Sequence, residues 1–126
     1  REYLRTVLKV LDDKHCESIF APEAITEAPI SGNLVENGKT YKVSGRIDRL
    51  LINHHEIKII DFKTNKVIPS SPSDVPDSYR KQLAIYYRLV RQIYPTHQIR
   101  CIVLWVDKPM IMELLSNDME SMKIFY

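Results

Sequence analysis

Residues 45–65 read GRIDRLLINHHEIKIIDFKTN, and the fold turns on how that stretch divides. Ile57 to Lys63 reads as a strand, and its adjacent Ile59 and Ile60 imply burial on both faces. Asn53-His54-His55-Glu56 reads as a turn, and Tyr41 to Ile52 as the strand before it. The two histidines are expected in solvent there. Strand side chains alternate, so Asp61 and Lys63 project to one face and Phe62 to the other. An acid and a base thus stand side by side at the end of an otherwise apolar strand. A short hairpin turn brings Asp48, near the middle of the preceding strand, next to Asp61.

Two neighbouring carboxylates repel, and keeping both ionised calls for a positive partner. A hard divalent cation such as Mg²⁺ suits an oxygen donor set. Such an ion acidifies a water and steadies charge on a phosphate. Lys63 beside it is placed to orient the attacking water or to neutralise developing charge. Simpler readings exist for each residue. Asp61 and Lys63 could form a plain surface pair of little energetic weight, and Asp48 could pair with Arg46 or Arg49.

Outward from this stretch, the pattern is α-β-β-β-α-β-β. Leu4, Val7, Leu8 and Leu11 fall at helical spacing, predicting an amphipathic helix over residues 1–13. Residues 16–24 read as a loop. Ile25 to Leu34 is the first strand, and Asn37-Gly38 marks a hairpin. Residues 65–77 carry Pro69, Pro72 and Pro76 and read as a loop. A helix follows over residues 77–94, capped by Asp77 or Ser78 and stopped by Pro95. Gln98 to Val106 and Met110 to Leu115 are the last two strands.

The 126 residues suit one domain, and a hydrophobic share of 44% supports a real core rather than a disordered segment. A net charge of +2 neither announces nor excludes a nucleic-acid partner, because local clustering matters more than the total. Cys16 and Cys101 lack metal-ligand spacing and read as small apolar residues of a reducing compartment. No apolar run approaches a membrane span. The chain begins at Arg1-Glu2-Tyr3-Leu4, inside a helical pattern and without an initiator Met, as expected of a piece of a longer chain.

Three segments together resemble the PD-(D/E)XK nuclease superfamily, in particular the RecB-like nuclease domain at the C-terminus of AddA-type helicase–nucleases. Gly45-Arg46-Ile47-Asp48 resembles that family's G-x-x-D segment. Asp61-Phe62-Lys63-Thr64 resembles its D-[YF]-K-T segment. Tyr79-Arg80-Lys81-Gln82-Leu83-Ala84-Ile85-Tyr86 resembles its Y-x-x-Q-L-x-x-Y helix. Glu27 resembles an acidic position in the preceding strand.

The resemblance implies an α/β fold with an αβββαβ core, a central mixed sheet flanked by helices. It implies Asp48 and Asp61 as Mg²⁺ ligands, the Phe62 carbonyl as a third, and Lys63 as the catalytic lysine. It places Gln82 and Tyr86, one turn apart, near the active site, with Tyr79 joining them; an ordinary amphipathic helix with core aromatics is the plainer reading. A metal-ligating His on an upstream helix is usual in such nucleases, and His15 lacks the matching context. The missing ligand leaves open a catalytically silent module that binds DNA or a partner subunit.

Basic residues cluster around these motifs, among them Lys66, Arg80, Lys81, Arg88 and Arg91. Tyr79, Arg80, Lys81 and Lys66 are candidates for holding backbone phosphates without reading bases; a solvated helix face is the alternative. No helix-turn-helix, zinc finger or RNP motif appears. The implied partners are single-stranded DNA or unwound duplex ends, the helicase region of the parent chain, and an AddB-type subunit. The implied setting is double-strand break repair in the bacterial cytoplasm, at the nucleoid.

Overall fold

A computed structural model describes residues 24–65 and 67–125. The helix expected over residues 1–13 lies outside the described residues, with most of the loop expected at 16–24, His15, Cys16 and Lys66. Five strands form one sheet in sequential order: β1 (Ile25–Glu36), β2 (Lys39–Ile52), β3 (Glu56–Lys63), β4 (Gln98–Trp105) and β5 (Met110–Leu114). Neighbours pair antiparallel except β3 and β4, which run parallel. Helix α1 (Asp77–Ile93) makes the crossover that a parallel pair requires. A short α2 (Ser116–Ser121) follows β5, and a 3-10 turn spans Pro72–Asp74.

Each element has a local cause. Asn37 and Gly38 both take positive φ, 51° and 75°, the backbone that closes a two-residue hairpin between twisted strands. Ile57 and Ile59 of β3 pack into the main core, whereas Ile60 packs into a second cluster with Ile102, Leu104 and Val106. The strand is therefore buried on both faces, as its sequence suggests. Helix α1 covers the main-core face with Leu83, Ala84, Tyr86, Tyr87, Leu89 and Val90. Its cap differs from expectation. Pro76 is the N-cap residue and its carbonyl accepts the Tyr79 and Arg80 N–H groups, so Asp77 and Ser78 are already helical.

Two irregularities shape the sheet. Ile47 and Leu50 both enter the main core, with Val43 before them and Ile52 after, so the alternation of β2 slips between residues 47 and 50. Across β1, Glu27 has φ 46° and is skipped by the ladder between Thr26–Arg49 and Ala28–Ile47. A non-glycine residue in that region carries strain on the order of 1–3 kcal/mol. Both irregularities flank Asp48.

Ile124 and Phe125 give their N–H groups to the Glu36 carboxylate at 2.8 and 2.9 Å. Phe125 stacks on Tyr41 with ring centroids 3.9 Å apart. These bonds hold Glu36 below its ordinary range, with Arg88 and Lys123 adding to the effect and burial opposing it. Cys101 is buried in the core, and burial pushes its thiol up. Among the described residues no helix is long and apolar enough to cross a membrane.

Candidate active site

Strands β2 and β3 pair from Ile52–Ile57 to Arg49–Ile60. One step further, the same register sets Asp48 opposite Asp61, and there the backbone ladder stops. Asp48 Oδ2 accepts the Phe62 N–H at 2.7 Å instead. The two carboxylates stand close enough that Asp48 raises the pKa of Asp61 by charge and hydrogen bonding. Within a strand, the N–H and C=O of one residue point the same way. The Phe62 carbonyl therefore faces the gap that holds Asp48.

Asp61 is 3% exposed, and is the buried charged residue of the described chain. Burial is the main reason its carboxyl is pushed up from 3.8 to about 6; Lys63 pulls it down, and Asp48 pushes it up further. Lys63 Nζ stands 2.8 Å from Asp61 Oδ2, yet that oxygen accepts no well-aligned hydrogen bond from the described residues. The contact is an ion pair that leaves an acceptor direction open. Two carboxylates and a carbonyl form a hard oxygen set, and the open acceptor on a buried acid is what a divalent cation would complete.

Helix α1 fixes the lysine from above. Lys63 Nζ donates to Gln82 Oε1 at 2.9 Å, and Gln82 Nε2 donates to the Tyr86 hydroxyl at 3.2 Å. The ammonium also lies 4.5 Å from the centroid of the Tyr79 ring, whose hydroxyl donates to Asn65 Oδ1. Tyr86 is buried against Gly45, where a Cβ would meet its Cε1 at 2.8 Å. The glycine of the G-x-x-D segment thus makes room for the tyrosine of the helix.

The three segments singled out in the sequence therefore converge on one locus. Over residues 1–121 the sequence matches the profile of the PD-(D/E)XK nuclease superfamily. This chain belongs to that superfamily. The PD-(D/E)XK fold, a mixed sheet with flanking helices, agrees with the crystal structure of SSO0001. That likeness has a TM-score of 0.53 at 21% identity, covering 90% of this chain and 48% of the other. The chain thus spans about half the length of that structure, and the similarity concerns the fold. No curated protein sequence matches it.

The remaining site residues divide by their partners. Glu27 is exposed, and the register sets it opposite Asp48 of β2. Arg80 lies 3.5 Å from Asp77 and 3.8 Å from Asp118, so carboxylates already hold its guanidinium. Arg88 donates to the Met119 and Met122 carbonyls, and Arg91 to those of Tyr94, Pro95 and His97. Both fasten the fold. Lys81 has no ion-pair partner among the described residues. His54 and His55 are exposed in the β2–β3 turn. Asn65 went unread because a lone asparagine in a proline-rich loop carries no period or motif.

Proposed function

We propose that this chain is the catalytic core of a Mg²⁺-dependent DNA nuclease that hydrolyses phosphodiester bonds. The observation that carries the reading is Asp61: a nearly buried carboxylate beside a second one, flanked by a lysine that α1 holds in place. A buried acid beside a second carboxylate opposes folding, and one lysine offsets only part of that, so the arrangement makes sense as a binding site.

In this reading Asp48, Asp61 and the Phe62 carbonyl hold the ion. The bound ion supplies positive charge to the phosphate and acidifies a water. Lys63 orients the attacking water or neutralises the charge that builds on the phosphate oxygens. Gln82 fixes the lysine, and Tyr86 fixes Gln82. Tyr79 caps the ammonium with its ring face. Lys81 and Lys66 hold backbone phosphates; Arg80, held by two carboxylates, is the weaker candidate.

The motif set supports a finer reading. The parent protein would be an AddA-type helicase–nuclease that digests single strands delivered by its motor, working with an AddB-type subunit in break repair and recombination at the bacterial nucleoid. The test is cleavage of labelled single-stranded DNA by the full-length protein, with Mg²⁺ or with EDTA. Asp61→Ala and Lys63→Ala should each abolish cutting. Undiminished cutting by either variant overturns the assignment. DNA binding without Mg²⁺-dependent cutting in the parent would instead favour a silent binding module.

A further inference from the structure

A groove of about 650 Å³ opens directly beside the site, between β2, the first turns of α1, and the C-terminal residues Ile124 and Phe125. Gln82 and Tyr86 belong to both, so the groove is continuous with the locus of Lys63. Its lining includes Lys42, Ser44, Ser78, Lys81 and Phe125. Among the described residues no aspartate or glutamate lines it, although the chain has 16 acidic residues against 18 basic ones. Neither lysine has an ion-pair partner among the described residues. Other cations of α1 behave differently: Arg80 and Arg88 each face a carboxylate.

Two ammonium groups that line one groove, with no carboxylate of the described residues beside them, attract an anion with repeated charges. Serine hydroxyls between them can donate to phosphate oxygens, and a half-buried aromatic ring offers a base a face or an edge. We propose that this groove carries single-stranded DNA into or out of the cutting site, with Lys42 and Lys81 on successive backbone phosphates. The proposal rests on the nuclease reading and adds the path of the strand. The C-terminal residues acquire a role in it, because Glu36 and Tyr41 hold them in place as one wall of the channel.

The experiment is equilibrium binding of fluorescein-labelled oligo(dT) to the full-length protein in EDTA, where nothing is cut, as a function of salt. Lys42→Gln with Lys81→Gln should lower affinity at least tenfold near 0.1 M salt and reduce the slope of log K against log[salt] by about 1.4, at ~0.7 for each phosphate no longer neutralised. Lys42→Arg with Lys81→Arg should restore both. Lys39→Gln removes one such charge at the start of β2, outside the groove, and should change affinity less than twofold. An unchanged salt slope in the double Gln variant, or an equal loss from Lys39→Gln, overturns the groove. Cleavage by Asp61→Ala, measured separately, reports on the nuclease reading alone.

Discussion

Gly45→Ala is the smallest change that should disturb the site without touching any charged group. Gly45 has no positive φ, so an alanine there meets no backbone strain. Its methyl would sit 2.8 Å from Tyr86 Cε1, 3.0 Å from the hydroxyl and 3.3 Å from Cζ. The ring is 5% exposed and cannot swing away without repacking α1. Overpacking of this kind costs about 1–3 kcal/mol, which at roughly 4 °C per kcal/mol lowers Tm by about 4–12 °C. The displaced hydroxyl would release Gln82, and Gln82 would release Lys63. A shift on the order of 1 Å in a catalytic group costs about a hundredfold in rate. Thermal melting and single-turnover cleavage of oligo(dT) read the two effects. A double-mutant cycle isolates their cause. In a Tyr86→Ala background the methyl has space, and Gly45→Ala should become stabilising by about 0.4–1 kcal/mol through the unfolded chain. Equal destabilisation in both backgrounds would show that Tyr86 is not what Gly45 accommodates.

Asp61 makes a linked prediction. An acid whose folded-state pKa is raised, here from 3.8 to about 6, favours folding at low pH and loses that contribution as pH rises through 6. At about 1.4 kcal/mol per pH unit, urea denaturation in EDTA should show wild type losing roughly 3 kcal/mol relative to Asp61→Asn between pH 4 and 7.5. A difference independent of pH would contradict the buried acid. Mg²⁺ should raise Tm at pH 7.5 in wild type and not in Asp61→Asn; equal shifts would place the ion elsewhere. Gln82→Leu should lower kcat about tenfold or more while leaving KM within twofold, since it frees Lys63 rather than removing a phosphate contact; an unchanged kcat would deny the glutamine a positioning role. Glu36→Ala should speed hydrogen exchange at the Ile124 and Phe125 amides. Because Glu36 is held below its ordinary range, their protection in wild type should persist at the pH where a free glutamate is half-protonated and fall away only at lower pH.

Much of the fold was legible where one residue type has one physical use. Asn37-Gly38 can adopt paired positive φ, and it makes the hairpin. The Ile59-Ile60 pair cannot leave one face in water, and β3 is buried on both. Helix α2 was missed because Met119 is its one buried residue, and a single apolar side chain sets no period. The expected cap failed because Pro76 already supplies the carbonyl that closes the first turn, leaving Asp77 inside the helix. At the site, the alternation of β3 correctly put Asp61 and Lys63 on one face. The lysine's tether to Gln82 was not readable, because it joins segments 19 residues apart through a loop of no fixed length. Lys42 carried no signal at all, since its significance comes from lining one groove with Lys81.

Asp48 shows why strict periodicity would have misled. In β2, Val43 and Ile47 turn toward α1, and regular alternation from them would send Asp48 to the opposite face of the sheet. The slip before Leu50 and the skipped Glu27 across the ladder reset the strand just where the acid sits. The backbone pairing of β2 and β3 then ends, and the side chain of Asp48 takes over the Phe62 N–H that a neighbouring carbonyl would have accepted. A regular sheet would have used that N–H in its own ladder and closed the gap. Replacing Asp48 with Asn keeps an acceptor for the amide and removes the charge, whereas Ala removes both. Asn should therefore fold like wild type and fail to cut, and Ala should also lose stability by about 1–3 kcal/mol from the unpaired N–H. If Asn cuts normally, the carboxylate serves only to end the ladder, and the cation must be held without it.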